Sequence, residues 1–209
     1  MNDRVPAVRA SLLRSMLAGL ESLGGDGIKI RRALADTSLT AIECAGALVW
    51  LPVELHLELS HCMSKELGRD QFRRLVQDAM RRAYLESSGH RLVHMAMRMF
   101  GLDPGSLARF LPSIYGALFR ACGEWTVERL GRSAEGDEAI ATLVLDGLPA
   151  VCVGDEIWRD GLASCVFSLL VLADADGEVE VDAVGLEQGW VRFRMSWRSE
   201  DRVASGEPR

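Results

Sequence analysis

The stretch 191–197 leaves little freedom in how this chain folds. Val191, Phe193, Met195 and Trp197 alternate with Arg192, Arg194 and Ser196. Successive side chains of a strand point to opposite faces, so these residues make a strand with one apolar and one polar side. Such strands belong to sheets that face water on one side and a covering layer on the other, an antiparallel habit. The same alternation recurs upstream, where Val179, Val181 and Ala183 interleave with Glu178, Glu180 and Asp182 after the turn signal Asp174-Ala175-Asp176-Gly177. Residues 122–130 (CGEWTVERL) and 138–145 (EAIATLVL) read as two further strands joined by a polar loop.

Residues before 120 follow a different period. Val8, Leu12, Leu13, Met16, Leu17 and Leu20 recur at helical spacing up to Gly24-Gly25. A second helix is predicted over 27–36, then a short irregular segment after Thr37. Pro52 stands where a first-turn proline is tolerated, ahead of Leu55, Leu59, Cys62 and Met63 and a stop near Gly68. Residues 69–100 keep helical periodicity, with a break predicted at Ser87-Ser88-Gly89. After a turn at 101–104, another helix runs to about Phe119. One more, over 157–173, lies between the two strand pairs. The predicted fold is therefore α+β: N-terminal helices packed on one face of a small, mostly antiparallel sheet, with a helix inserted between two strand pairs. The reading gives a single domain over 1–197, helical to 120 and sheet-containing from 121, with a polar, disordered tail over 198–209.

Bulk properties narrow the partners. A net charge of −6, spread along 209 residues, speaks against nucleic acid. The longest apolar run, 161–173, is about two-thirds of the ~20 residues a membrane-spanning helix needs, so no membrane span and a cytoplasmic protein are expected. Five cysteines (Cys44, Cys62, Cys122, Cys152, Cys165) at wide spacings form no C-x-x-C pair and read as free thiols, four of them in apolar surroundings.

Reactive motifs are missing. His90 and His94 share a helix face, but Arg91, Leu92 and Val93 between them supply no general base, and no further zinc ligands are evident. His56 and His61, five residues apart, diverge by roughly 140° around a helix. The sequence has no G-x-S-x-G elbow, GxxxxGK loop or GxGxxG turn. Arginines 69, 73, 74, 81, 82, 91 and 98 read as a solvated helix face. What remains is apolar and aromatic: Met97 and Phe100 at the end of the long helical stretch, and Trp125, Trp158, Phe193 and Trp197 in the sheet half, as candidate walls of a ligand pocket.

Several landmarks run in order along nearly the whole chain. They are the apolar helix at 8–20, a Leu51-Pro52 entry into a helix ending in Glu66-Leu67-Gly68, and Ser87-Ser88-Gly89. They continue with Cys122-Gly123-Glu124 at the first strand, Gly161-Leu162 within a helix, and the closing strand 191–197. In these the chain resembles an uncharacterised paralogous family of myxobacteria, itself similar to the haem nitric-oxide-binding, 4-vinyl-reductase and TRAPP trafficking-subunit domains. The resemblance implies helices on one side of a small antiparallel sheet, a hydrophobic pocket between helix and sheet in some relatives, and frequent dimerisation through helices. Haem-binding relatives use a histidine on the helix before the sheet and a Tyr-x-Ser-x-Arg motif. Here residues 103–120 contain no histidine, and Pro112-Ser113-Ile114-Tyr115 does not supply the motif. The cysteine cluster of the reductase-like domains is missing too, since no cysteine follows Cys165.

The expectation is a non-catalytic binding or regulatory module without catalytic residues, metal or cofactor, which takes up an apolar small ligand or docks a protein partner. The alternatives are a haem- or metal-binding sensor and a homodimeric assembly adaptor.

Overall fold

A computed structural model describes residues 5–86, 103–133 and 138–198. Strand β1 (Ala7–Arg9) leads into helices α1 (Ala10–Glu21), α2 (Gly25–Ala33) and α3 (Asp36–Cys44). Strand β2 (Trp50–Pro52) precedes α4 (Val53–Leu67) and α5 (Arg69–Glu86). After the gap come α6 (Pro104–Leu118) and β3 (Phe119–Arg120). The hairpin β4 (Glu124–Arg132) and β5 (Glu138–Asp146) follows, then the short α7 (Ala150–Val153) and the long α8 (Glu156–Leu172). Strand β6 (Gly177–Asp182), a 3-10 turn at Leu186–Gln188 and β7 (Val191–Arg198) complete the described residues.

The main sheet has the order β4-β5-β7-β6, with every neighbouring pair antiparallel. Its register carries the apolar alternation across the sheet: Trp125 pairs with Leu145, which pairs with Val191, and Val127 pairs with Leu143, which pairs with Phe193. The opposite face is charged. Arg192 bridges Glu128 on β4 and Asp182 on β6, and Arg194 lies 3.9 Å from Glu180. Opposite-charge cross-strand neighbours of this kind help hold register on a wet face. The α+β architecture expected from the sequence is the one observed, with α8 between the β4–β5 and β7–β6 pairs in chain order.

Three features depart from the sequence reading. The second helix, expected over 27–36, ends at Ala33, and the segment after Thr37, expected to be irregular, belongs to α3, which buries Ser38 and Ile42. A second, three-stranded sheet of order β2-β1-β3 went unforeseen, because strands of two or three residues carry no readable period. Trp50 anchors it, with the guanidinium of Arg9 3.8 Å and that of Arg120 5.0 Å from its ring centroid. Finally, α4 is rotated from the expected face. It buries Val53, His56, Leu57, Leu59, Ser60 and Met63, while Leu55 and Cys62 are only partly covered. Gly68 ends α4 at φ 79°, a conformation that favours glycine.

The Arg-rich helix is more than a solvated face. Asp160 on α8, 7% exposed, accepts hydrogen bonds from Arg69 Nε and from Arg73 Nη2 (2.8 Å) on α5. Burial alone would raise the Asp160 pKa, but the two arginines more than offset that and hold it below its ordinary 3.8. A depressed carboxyl contributes stability that is complete above the unfolded value and lost as pH falls through the folded one. Asp160→Ala should therefore cost about 2 kcal/mol in urea unfolding at neutral pH, and the deficit relative to wild type should shrink below pH 4. An equal deficit at pH 7 and pH 3 would refute the ionic account.

Candidate functional site

Helix α8 is apolar on nearly all sides, burying Trp158, Gly161, Leu162, Ser164, Cys165, Val166, Ser168, Leu169 and Leu170. Such a helix must be covered all round: it packs on α4, α5 and α6 and also on β6 and β7. Asp155 caps its start, accepting from the Trp158 backbone N–H at 2.8 Å. The other carboxylate oxygen of Asp155 accepts from His61 Nε2 at 2.6 Å, which ties the same end of α8 to α4.

On the helical side of α8 lies a cavity walled by Leu12 and Met16 of α1, His56 of α4, and Val76, Ala79 and Met80 of α5. Phe119 of β3 and Trp158, Gly161, Leu162 and Cys165 of α8 complete it. All of these residues are buried. The cavity offers about 20 Å³ to the centre of a water-sized molecule. One water needs about 10–15 Å³ in this measure, so only one or two small groups fit. Among the described residues, the wall is apolar apart from the Cys165 thiol and the His56 imidazole. Nδ1 of His56 lies 3.4 Å from Ser60 Oγ, and its ring meets Phe119 and Trp158 edge-on at centroid distances of 5.5 and 5.2 Å. The indole N–H of Trp158, a residue 2% exposed, has no hydrogen-bond partner.

Among the described residues, burial leaves the histidine and the thiols of this region unactivated. Burial pushes the His56 pKa down to about 4, with Asp155 acting weakly in the opposite sense, so the imidazole is neutral at pH 7. Burial pushes the Cys165 thiol up to about 12 and the Cys122 thiol to about 11, and raises Cys152 further. These thiols stay protonated and are poor nucleophiles. All five cysteines are free. Among the described residues, no group of three or more His, Cys, Asp and Glu side chains is placed to hold a metal ion.

Of the candidate pocket residues, Trp158 lines the cavity. Trp125, Phe193 and Trp197 are buried in the helix–sheet core away from it, Trp125 against Phe193 at 5.1 Å and against Tyr115 at 5.9 Å between centroids. Met97 and Phe100 lie outside the described residues, as do His90 and His94. His56 was passed over in the sequence. The available signal was its place in the i, i+3, i+7 series Val53, His56, Ser60, Met63, which puts a histidine and a serine in an otherwise apolar stripe.

No family model matches the chain, and no curated protein does. Its fold is shared with solved H-NOX domains. An Fe(II) unliganded H-NOX protein mutant from K. algicida superposes with a TM-score of 0.62 at 10% identity, over 92% of this chain and 97% of the other. An H-NOX protein from S. oneidensis in the Fe(II)NO state gives 0.58 at 6% identity, over 91% and 99%. An oxygen-binding H-NOX domain related to soluble guanylate cyclases gives 0.55 at 11%, over 96% and 100%. The chain thus adopts an α+β fold of the H-NOX type. No helix among the described residues is long and apolar enough to cross a membrane.

A buried histidine held neutral makes folding pH-dependent with a definite sign. The unfolded chain takes up a proton at His56 near pH 6.5 while the folded chain resists until about 4, so this contribution is neutral above 6.5 and destabilises the fold progressively as pH falls to 4. The full span corresponds to about 3 kcal/mol. His56→Leu should flatten the loss of stability between pH 7 and pH 4.5 in urea titrations. A mutant that loses as much as wild type over that interval would show that the imidazole is not buried neutral.

Proposed function

We propose that the chain is a non-catalytic sensory module that binds a small, mainly apolar ligand in the cavity between α1, α4, α5 and α8 and passes occupancy to a protein partner or a second copy. The observation that carries this reading is the cavity itself: a void walled by buried aliphatic and aromatic side chains, with a neutral imidazole and the protonated Cys165 thiol in its wall. Native interiors are packed like organic crystals with few such voids, and small apolar cavities bind apolar guests. The absence of an activated nucleophile or poised base at this cavity supports binding over catalysis.

A haem-binding sensor is the second reading, favoured by the fold shared with H-NOX domains, one of them solved in an Fe(II)NO state. The described residues do not fit that group. Cofactor pockets run to roughly 300–1,000 Å³, against about 20 Å³ here. The one histidine that the described residues bring to the cavity, His56, meets Phe119 and Trp158 edge-on.

Two measurements on the purified full chain separate the readings. Under xenon pressure, methyl resonances of Leu12, Val76 and Leu162 should shift and saturate, and the chain should melt higher. Saturation a hundredfold above Kd adds about 2.7 kcal/mol, a rise of about 5–10 °C for a chain of this size. Titration with haem should give only the spectrum of free haem. A saturable, shifted Soret band would replace the first reading with the second, and silence toward xenon would remove the first.

A further inference from the structure

Between α3 and α4 the chain runs Ala45-Gly46-Ala47-Leu48-Val49-Trp50-Leu51-Pro52-Val53, nine residues without a charged or polar side chain. Consecutive apolar residues are normally buried, yet Gly46, Ala47, Leu48 and Val49 are all exposed, Leu48 to 75% and Val49 to 46%. Backbone bonds hold them there. The first N–H groups of α1 have no acceptor within their own helix and donate to this loop, Ala10 to Val49 O at 3.0 Å and Ser11 to Ala47 O at 3.1 Å. Other large exposed hydrophobics, such as Ile28, Val151 and Val171, stand singly in the sequence, which is ordinary for a protein surface.

Arginines gather at the base of this tip. Arg14 Nη1 donates to Ala45 O at 3.3 Å and Arg9 Nη1 to Leu48 O. The guanidiniums of Arg9 and Arg120 lie 3.8 and 5.0 Å from the Trp50 ring centroid. Carbonyls and an indole face leave these charges uncompensated, and none of the three arginines forms an ion pair among the described residues. Of the acids flanking the run, Glu43 is paired with Arg31 at 2.6 Å, and Glu54 alone does not offset three cations. The tip is locally cationic on a chain of net charge −6.

We infer that the 46–50 tip docks on an anionic lipid bilayer. Leu48 and Val49 enter the acyl boundary, Trp50 sits at headgroup level, and Arg9, Arg14 and Arg120 meet the anionic headgroups. Two aliphatic side chains and a tryptophan fall far short of the roughly 20–30 residues a side of a stable protein interface. Peripheral attachment asks for less, because each arginine near an anionic surface adds about fivefold to apolar insertion. Acidic groups of the chain farther off than about 10 Å are screened at 0.1 M salt. Whether the cavity takes a ligand has no bearing on this surface, so each can fail alone.

Co-sedimentation of the full chain with vesicles tests the docking. Partition onto phosphatidylcholine vesicles with about 30% phosphatidylserine should exceed partition onto pure phosphatidylcholine about tenfold or more at low salt, and fall as salt is raised. Leu48→Ser should lower it about tenfold and Arg14→Gln about fivefold, while Val184→Ser, at an exposed valine of the β6–β7 loop, should leave it unchanged. All three side chains are exposed, so the variants should melt with wild type. No binding to the anionic vesicles overturns the inference, as does binding that Leu48→Ser leaves intact. A chain that light scattering finds dimeric, and that Leu48→Ser makes monomeric, overturns it too and assigns the tip to a second copy.

Discussion

Every layer of this molecule is organised by the need to cover α8. A helix with apolar side chains around most of its circumference has no face to give to water, so one layer cannot satisfy it. The sheet takes one side through β6 and β7, and α4, α5 and α6 take the others. Polar contacts fix how the helix sits between them. Asp155 joins the cap of its first turn to His61 of α4. One turn on, Asp160 is held by Arg69 and Arg73 of α5. Apolar burial is not directional, whereas the aspartates set the axial position of α8, and with it the place of Trp158 at the cavity.

How much of this could be read in the residues depends on whether a feature repeats. The strand at 191–198 was legible because four inward residues alternate with outward ones, and the register of the sheet then follows from matching apolar faces. The end of α4 was legible from Gly68, and the insertion of α8 from the apolar run between two strand pairs. Strands β1, β2 and β3 were not, since their pairing is a tertiary fact that two or three residues cannot announce. Helix α3 was missed for another reason: Ser38 and Thr40 read locally as loop, and the helix forms because Ile42 and Ser38 find a place in the core.

The site was less legible than the fold. Tryptophan was the right residue type to follow, and Trp158 does border the cavity, but nothing local separates it from Trp125, which fills the core between α6 and the sheet. The cavity is a mismatch between five elements far apart in sequence, and it has no periodicity of its own. The arginines mislead in the same way. Arg69 and Arg73 look like part of a wet stripe until the partner ninety residues away is known. His56 left a trace, because a histidine in line with Val53 and Met63 is out of place on a buried stripe. Its meaning came only with the ring contacts around it.

A core under pressure for stability alone would not keep this arrangement. Replacing His56 and Trp158 by apolar groups of similar shape would remove an acid-labile imidazole and an unsatisfied donor, and such exchanges are often neutral or favourable in buried sites. Filling the void would recover contacts that its lining now lacks. The void and the desolvated imidazole fall at one place, where α1, α4, α5, β3 and α8 meet, while the two aspartates that position α8 are fully paired.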